Sequence, residues 1–185
     1  MHDSVMAFGQ ALITATDIDG KRVIEVGSMN VNGSLRSHVE ALGPLCYVGV
    51  DFTVGRGVDV VCDASDLVRH FGAHAFDVVV STEMLEHAED WRSAITAMKR
   101  ILVPGGLIVL TARGPGFGLH GYPHDWHRFT VDDARRIFAD FQIEALHADG
   151  EHPGVMLRAR KPLEWHALDL SEIHVAPADA INAPR

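Results

Sequence analysis

Arg22-Val-Ile-Glu-Val-Gly-Ser-Met-Asn-Val-Asn-Gly33 decides how this chain is read. Its first five residues, Arg22 to Val26, form a short apolar run rich in β-branched side chains, which reads as a buried strand. The strand stops at Gly27, and Gly33 closes the loop that follows. Ser34 to Leu42 then has helical spacing and ends at Gly43-Pro44, a helix stop. A strand, a glycine-bounded loop and a helix open a parallel α/β sheet, and such sheets bind ligands beyond the carboxyl ends of their strands. Gly27 lets backbone approach a ligand, while Asn30 and Asn32 tolerate left-handed conformations.

The pattern repeats outward from there. Residues 4–16 carry Val5, Phe8, Leu12 and Ile13 at helical spacing and predict an N-terminal helix. Leu45 to Val50 and Val58 to Val61 predict a second and a third strand, with a short helix from Ser65 to Phe71. Phe76 to Val80 is a fourth strand, Trp91 to Leu102 an amphipathic helix, and Leu107 to Leu110 a fifth strand after the turn Pro104-Gly105-Gly106. Thr130 and Asp133 form a capping box for a helix that runs to about Phe138. Two last strands, Gln142–Ala148 and Val155–Arg160, flank a turn and must form a hairpin. The fold class is therefore α/β: a Rossmann-like, mostly parallel seven-stranded sheet, helices on both faces, and a closing antiparallel hairpin. Residues 1–162 form one domain. Residues 163–185, with two prolines after Pro162 and no strong periodicity, read as a tail on the surface or partly disordered.

Composition narrows the function. The chain has 185 residues, 47% of them apolar, an ordinary globular balance. Its net charge of −9 and lack of a Lys/Arg cluster speak against gripping a nucleic-acid backbone. No apolar run is long enough to span a bilayer, and the opening residues do not read as a secretory signal. Cys46 and Cys62 lie in apolar runs and read as buried free thiols, which implies a reducing, cytoplasmic setting.

Three acidic residues follow strands. Asp51 ends the second strand 24 residues after Gly27, where a carboxylate accepts hydrogen bonds from ribose hydroxyls; a turn or N-cap aspartate is the plainer alternative. Asp63, next to Ala64, either meets an adenine amino group or caps the helix from Ser65. Glu25 sits inside the first strand itself.

Together, Val23-Ile-Glu-Val-Gly27, Val48-Gly-Val-Asp51, Val61-Cys-Asp63, Phe76-Asp-Val-Val-Val-Ser-Thr-Glu-Met-Leu-Glu-His87 and Met98-Lys-Arg-Ile-Leu-Val-Pro-Gly-Gly106 resemble the ordered motifs of the class I S-adenosylmethionine (SAM)-dependent methyltransferases. The resemblance covers residues 21 to about 160. It implies SAM as cofactor, with Glu25, Gly27 and Ser28 at its methionine part, Asp51 on the ribose, Phe52 and Ala64 packed on adenine, and Asp63 at the adenine amino group. It places Ser81 and Glu83 along the methionine side. His87 stands where relatives carry a Leu-Glu-His segment, and a loop histidine is the alternative. The sequence departs from the pattern at Met29 and Val31, where glycines are usual, which puts the loop's shape in question. The missing G-x-G-x-x-G counts against a dinucleotide cofactor and an oxidoreductase.

The most unusual segment, Arg113 to Thr130, follows the fifth strand and combines glycines, histidines, aromatics and two arginines. A loop of this kind at a binding edge reads as a lid or substrate wall. His120-Gly-Tyr-Pro-His-Asp-Trp-His-Arg-Phe-Thr130 resembles a segment of a methyltransferase subgroup acting in small-molecule or glycan-related pathways. His120, His124 and His127 are candidates to take a proton from an acceptor, and Tyr122, Asp125 and Arg128 to contact it. Alternatively Asp125 and Arg128 pair to brace the loop. The three histidines read as neutral lid residues, and no metal is expected. The expected function is methyl transfer to an oxygen or nitrogen of a small molecule, with no nucleic-acid or membrane partner and a homodimer allowed. The alternative is a SAM-binding regulatory or partner protein without catalysis.

Overall fold

The computed structural model describes residues 2–121 and 124–181. Helices α1 (Asp3–Leu12), α2 (Ala15–Ile18), α3 (Arg36–Ala41), α4 (Leu67–Phe71), α5 (Trp91–Ile101) and α6 (Val131–Ile137) surround strands β1 (Arg22–Val26), β2 (Cys46–Asp51), β3 (Val60–Val61), β4 (Phe76–Thr82), β5 (Leu102–Arg113), β7 (Gln142–Ala148) and β8 (Gly154–Arg160). These strands form one sheet in the order β3-β2-β1-β4-β5-β8-β7. β1 to β5 pair in parallel, and β8 runs antiparallel to both β5 and β7, as the hairpin requires.

Alternate residues of the central strands feed two cores. Ile24, Val26, Val79, Ile108 and Leu110 pack with Ile95, Met98 and Ile101 of α5 and Ile137 of α6. Val23, Val78, Val80, Leu107 and Val109 pack with Val5 and Phe8 of α1, Ile18 of α2 and Val39 of α3. A sheet covered on both faces needs apolar side chains at every position, so β1, β4 and β5 read as unbroken apolar runs.

Several boundaries differ from the sequence reading. The N-terminal helix is two helices, because Thr14 and Asp17 cap a new start: Thr14 donates its amide to Asp17 Oδ2 at 3.1 Å and its hydroxyl at 2.7 Å. Asp17 also accepts Arg158 of β8 at 2.9 and 3.0 Å. Burial pushes the Asp17 carboxyl up, but the bonds from Arg158 and Thr14 outweigh it and hold it at about 2. β5 begins at Leu102, since Pro104-Gly105-Gly106 form an irregularity within the strand, with Gly105 at φ +78°, and its partner β4 skips from Phe76↔Leu102 to Val78↔Leu107.

The cysteines are free, but they are not buried: Cys46 is exposed and Cys62 half-buried. Cys46 opens β2 at the end of the strand that the helices leave uncovered, where burial rises only toward Asp51.

Residues 163–181 are tied down. Trp165 Nε1 donates to Asp140 at 2.9 Å, Arg92 reaches the carbonyls of Leu170 and Ile173 at 3.0 and 2.5 Å, and both of those side chains join the core. β9 (Ala176–Pro177) pairs antiparallel with β6 (His127–Arg128), a two-stranded sheet that two-residue strands left illegible in the sequence.

Ile24 is fully buried at the centre of β1, so truncating it leaves a cavity in the core. Ile24→Ala is expected to lower unfolding stability by about 2–5 kcal/mol in a urea titration, whereas Val54→Ala, at an exposed position, is expected to change it by less than about 0.5 kcal/mol.

Candidate active site

The carboxyl ends of β1, β2 and β4 open onto a cleft of about 880 Å³. Its floor is set by the loop after β1. Gly27 has φ +81°, and a Cβ there would stand 2.3 Å from Met84 Cγ, so both conformation and space demand glycine. The Gly27 and Ser28 amides donate to the Val50 carbonyl at 2.8 and 3.0 Å, locking the loop onto β2. Met29 fits where a glycine was expected because its side chain turns onto Gly55, whose missing Cβ would lie 2.5 Å from the Met29 methyl. Val31 is exposed at the rim. Neither asparagine takes up a left-handed backbone; Gly33 does, at φ +133°, while Asn30 Oδ1 accepts its amide at 3.0 Å.

Glu25 lines the floor, almost fully buried, and accepts the Tyr47 hydroxyl at 2.5 Å. Burial pushes its carboxyl up to about 7, against the Tyr47 bond and Arg36, with Asp51 and Asp59 adding to the rise. Asp51, at the end of β2, accepts the Met29 amide at 3.1 Å and the Thr53 amide at 3.4 Å, and burial raises its carboxyl. Phe52 stands beside it, 52% exposed, with its ring free to cover a flat ligand. Asp63 and Ala64 line the same end, and Asp63 Oδ1 caps the following turn through Ser65 N at 2.8 Å and Oγ at 2.6 Å.

Ser81 is not on the cleft wall. It is fully buried and donates to the Val26 carbonyl at 2.9 Å, pinning β4 to β1. Glu83 does line the cleft, with a left-handed backbone at φ +52°, a costly conformation for a non-glycine residue. Its carboxylate receives the Arg113 guanidinium and the amide of His2, the latter at 3.1 Å. Arg113 is buried and also pairs with Asp149 at 3.2 Å, which in turn accepts the Ser4 hydroxyl at 2.8 Å. Arg113 thus clamps the start of α1 over the cleft, a role hidden at the end of an apolar run.

The loop after β5 docks on the turn Leu85–His87. Trp126 N donates to the Glu86 carbonyl at 2.8 Å, and His87 Nδ1 lies 2.6 Å from the His124 carbonyl. Arg128 is fully buried, with its guanidinium on Asp125 at 2.5 and 2.7 Å and on the Gly118 carbonyl at 3.1 Å. Asp125 and Arg128 therefore brace the loop and do not line the cleft; nor does His127, whose Nε2 meets the Glu89 carbonyl at 3.1 Å. His120, His124 and Trp126 do line it, with His87 opposite. Tyr122 lies outside the described residues. Glu86 escaped the sequence reading: its side chain is completely buried, and burial pushes its carboxyl up to about 7. Its position between Leu85 and His87 does not by itself signal burial.

A carboxyl raised by burial destabilises the fold as pH climbs from its unfolded value, 4.5, to about 7, because the folded chain holds the proton longer. Glu25→Gln removes that penalty, so thermal or urea unfolding at pH 8 is expected to show the variant more stable than the parent by up to about 3 kcal/mol, with the gain gone at pH 4. Gly27→Ala is expected to cost more than about 1 kcal/mol in the same titration.

Comparison with known proteins agrees with the geometry. The sequence profile of the family described as "Methyltransferase domain" matches residues 5–110. A curated relative, the ubiquinone biosynthesis O-methyltransferase of Idiomarina loihiensis, is 32% identical over 102 residues, 48% of this chain and 41% of the relative, so this chain spans about two fifths of that protein's length. The solved structure of Burkholderia thailandensis 1,6-didemethyltoxoflavin-N1-methyltransferase, with bound 1,6-didemethyltoxoflavin and S-adenosylhomocysteine, superposes with a TM-score of 0.68 at 15% identity, covering 85% of this chain and 78% of that one. An S-adenosylmethionine-dependent methyltransferase from Mesorhizobium loti gives 0.62 at 18% identity, over 84% and 96%. These two show the fold, and the profile, matched over more than half of the residues, shows that the chain belongs to the methyltransferase-domain family of class I, S-adenosylmethionine-dependent methyltransferases.

Proposed function

We propose that this chain transfers the methyl group of SAM to an oxygen of a small hydroxylated molecule. The observation that carries the reading is the cleft's division into two ends of different chemistry. One end offers Glu25, Asp51 and Asp63 with the exposed Phe52 ring, a set that suits an ammonium group, a ribose diol and an adenine. The other offers His87, His120, His124 and Trp126, which suits a flat, hydroxyl-bearing acceptor. The volume, about 880 Å³, lies in the range that holds two such ligands side by side.

The residues fit the cofactor. Glu25, Gly27 and Ser28 would hold its methionine part, Asp51 its ribose, and Phe52, Asp63 and Ala64 its adenine. Bound SAM supplies a methyl group on a positively charged sulfur, open to direct displacement. What the chain adds is alignment, for which orientation alone is worth up to about 7–11 kcal/mol. The braced loop with His120, His124 and Trp126 fixes the acceptor side, and the Arg113 clamp fixes α1 over the entrance. The O-methyltransferase name of the curated relative supports oxygen over nitrogen. The net charge of −9 supports a small molecule over a nucleic acid. The two free cysteines support a cytoplasmic setting, and among the described residues no helix is long and apolar enough to cross a membrane.

Incubation with methyl-labelled SAM and a panel of catechols, phenols, alcohols, carboxylic acids and amines, read by mass spectrometry, tests this. Methyl ethers are expected. Methylation confined to amines would overturn the oxygen reading, methyl esters alone would overturn the hydroxyl acceptor, and S-adenosylhomocysteine binding without transfer to any class would favour a non-catalytic SAM-binding protein. Trp126→Ala is expected to raise the acceptor KM by about tenfold while leaving S-adenosylhomocysteine affinity within about twofold.

A further inference from the structure

Glu86 is the anomaly of the site. Its side chain is completely buried, and neither carboxylate oxygen has a hydrogen-bond partner among the described residues. A buried carboxylate without a partner is costly and calls for a proton or a cation. The two arginines nearby are committed elsewhere, Arg113 to Glu83 and Asp149, and Arg128 to Asp125. Facing Glu86 are two imidazoles: one ligand atom each from Glu86, His87 and His120 lie within 4.8 Å of one another.

The surroundings prepare His87 to offer a lone pair inward, and they set the His120 ring beside it. A carbonyl oxygen only accepts, so His87 Nδ1, 2.6 Å from the His124 carbonyl, carries the proton and leaves Nε2 as the lone-pair nitrogen. His120 Nε2 is 3.9 Å from Glu86 Oε1, while its Nδ1, though 3.1 Å from Asp125 Oδ2, makes no hydrogen bond among the described residues. Asp125 is itself fixed by Arg128 and by the His120 amide at 2.9 Å. An imidazole whose far nitrogen donates to a carbonyl, set beside a second imidazole and a buried carboxylate, is an arrangement that metal sites use.

We propose that Glu86, His87 and His120 form a site for a divalent first-row transition ion at the acceptor end of the cleft. Two histidines and one carboxylate suit such ions and leave coordination positions open, as catalytic sites do. The ion replaces the proton or the missing partner that Glu86 otherwise needs. It also gives Asp125 and Arg128 a function as positioning residues, holding the His120 backbone so that its ring stands beside Glu86 and His87. The metal-free expectation considered only the histidines of one loop; the ligand set here joins His120 to a turn that follows a different strand. An open position on the ion is suited to the acceptor's oxygen, and that role, unlike ion binding itself, rests on the oxygen-acceptor reading above.

The test is calorimetric titration of the chelator-stripped full chain with Zn²⁺ and with Mn²⁺, with S-adenosylhomocysteine affinity measured beside it on every sample. One ion per chain is expected. Glu86→Gln and His120→Ala are expected to weaken binding at least about 100-fold, and Asp125→Asn about 10- to 100-fold, with S-adenosylhomocysteine affinity unchanged. His120 is partly exposed, so its variant keeps the fold and decides the matter even where Glu86→Gln does not. No stoichiometric ion in the parent, or equal binding by His120→Ala, overturns the metal site. Intact S-adenosylhomocysteine binding in that case leaves the methyltransferase reading standing, whereas its loss in the parent would strike that reading instead.

Discussion

The pairing of β1 with β4, Val23↔Val78 through Glu25↔Val80, is the contact on which the rest of the structure depends. Sequence-distant strands meet there at the centre of the sheet, and the order turns outward from them: β2 and β3 on one side, β5, β8 and β7 on the other. The loops leaving β1 and β4 therefore part company, and the gap between them is the cleft. Small bonds hold that gap open at a fixed width. Ser81 ties β4 to the Val26 carbonyl, and the Gly27 and Ser28 amides tie the first loop to β2. Each of these bonds helps set where Glu25, Asp51 and Glu83 stand.

Charge does the remaining positioning. Arg113 and Arg128 are both buried and paired with carboxylates: Arg113 joins the end of β5 to the start of the N-terminal helix, and Arg128 ties the loop after β5 to itself. Buried pairs of this sort add little net stability relative to an apolar core, because desolvation consumes most of the attraction. Their return is geometric. A guanidinium held on two sides permits one arrangement of the segments it joins, and in this chain those segments form the two walls of the acceptor end.

The sheet was legible because its signals are local. A five-residue apolar strand ending at Gly27, or a helix closed by Gly43-Pro44, declares itself within one window of sequence. That Glu25, Gly27, Asp51 and Asp63 would line one cleft was legible for the same reason, since each stands at or near a strand's carboxyl end. The acceptor end was not, because it is made by tertiary contact. Asp125, Arg128 and His127 look like ligand-facing groups in a polar loop, and only packing shows that they turn inward to the loop's own backbone and to Glu89. Glu86 was missed for the opposite reason: its neighbours are apolar, and nothing in Met84-Leu85-Glu86-His87 reveals that its carboxylate is sealed from water. Residues 163–175 lack periodicity because they run as irregular backbone, held by Arg92 of α5 at Leu170 and Ile173 and by Asp140 at Trp165 and Leu168.

The central claim is that the strand ends of this sheet form a SAM site, and the most direct measurement is calorimetric titration of the parent chain and of Asp51→Ala with S-adenosylhomocysteine. The account requires micromolar binding at one site per chain, reduced at least about tenfold by the substitution, in which the lost carboxylate bonds contribute more than about 1.4 kcal/mol. A folded parent that does not bind, or a variant that binds equally well, would contradict it.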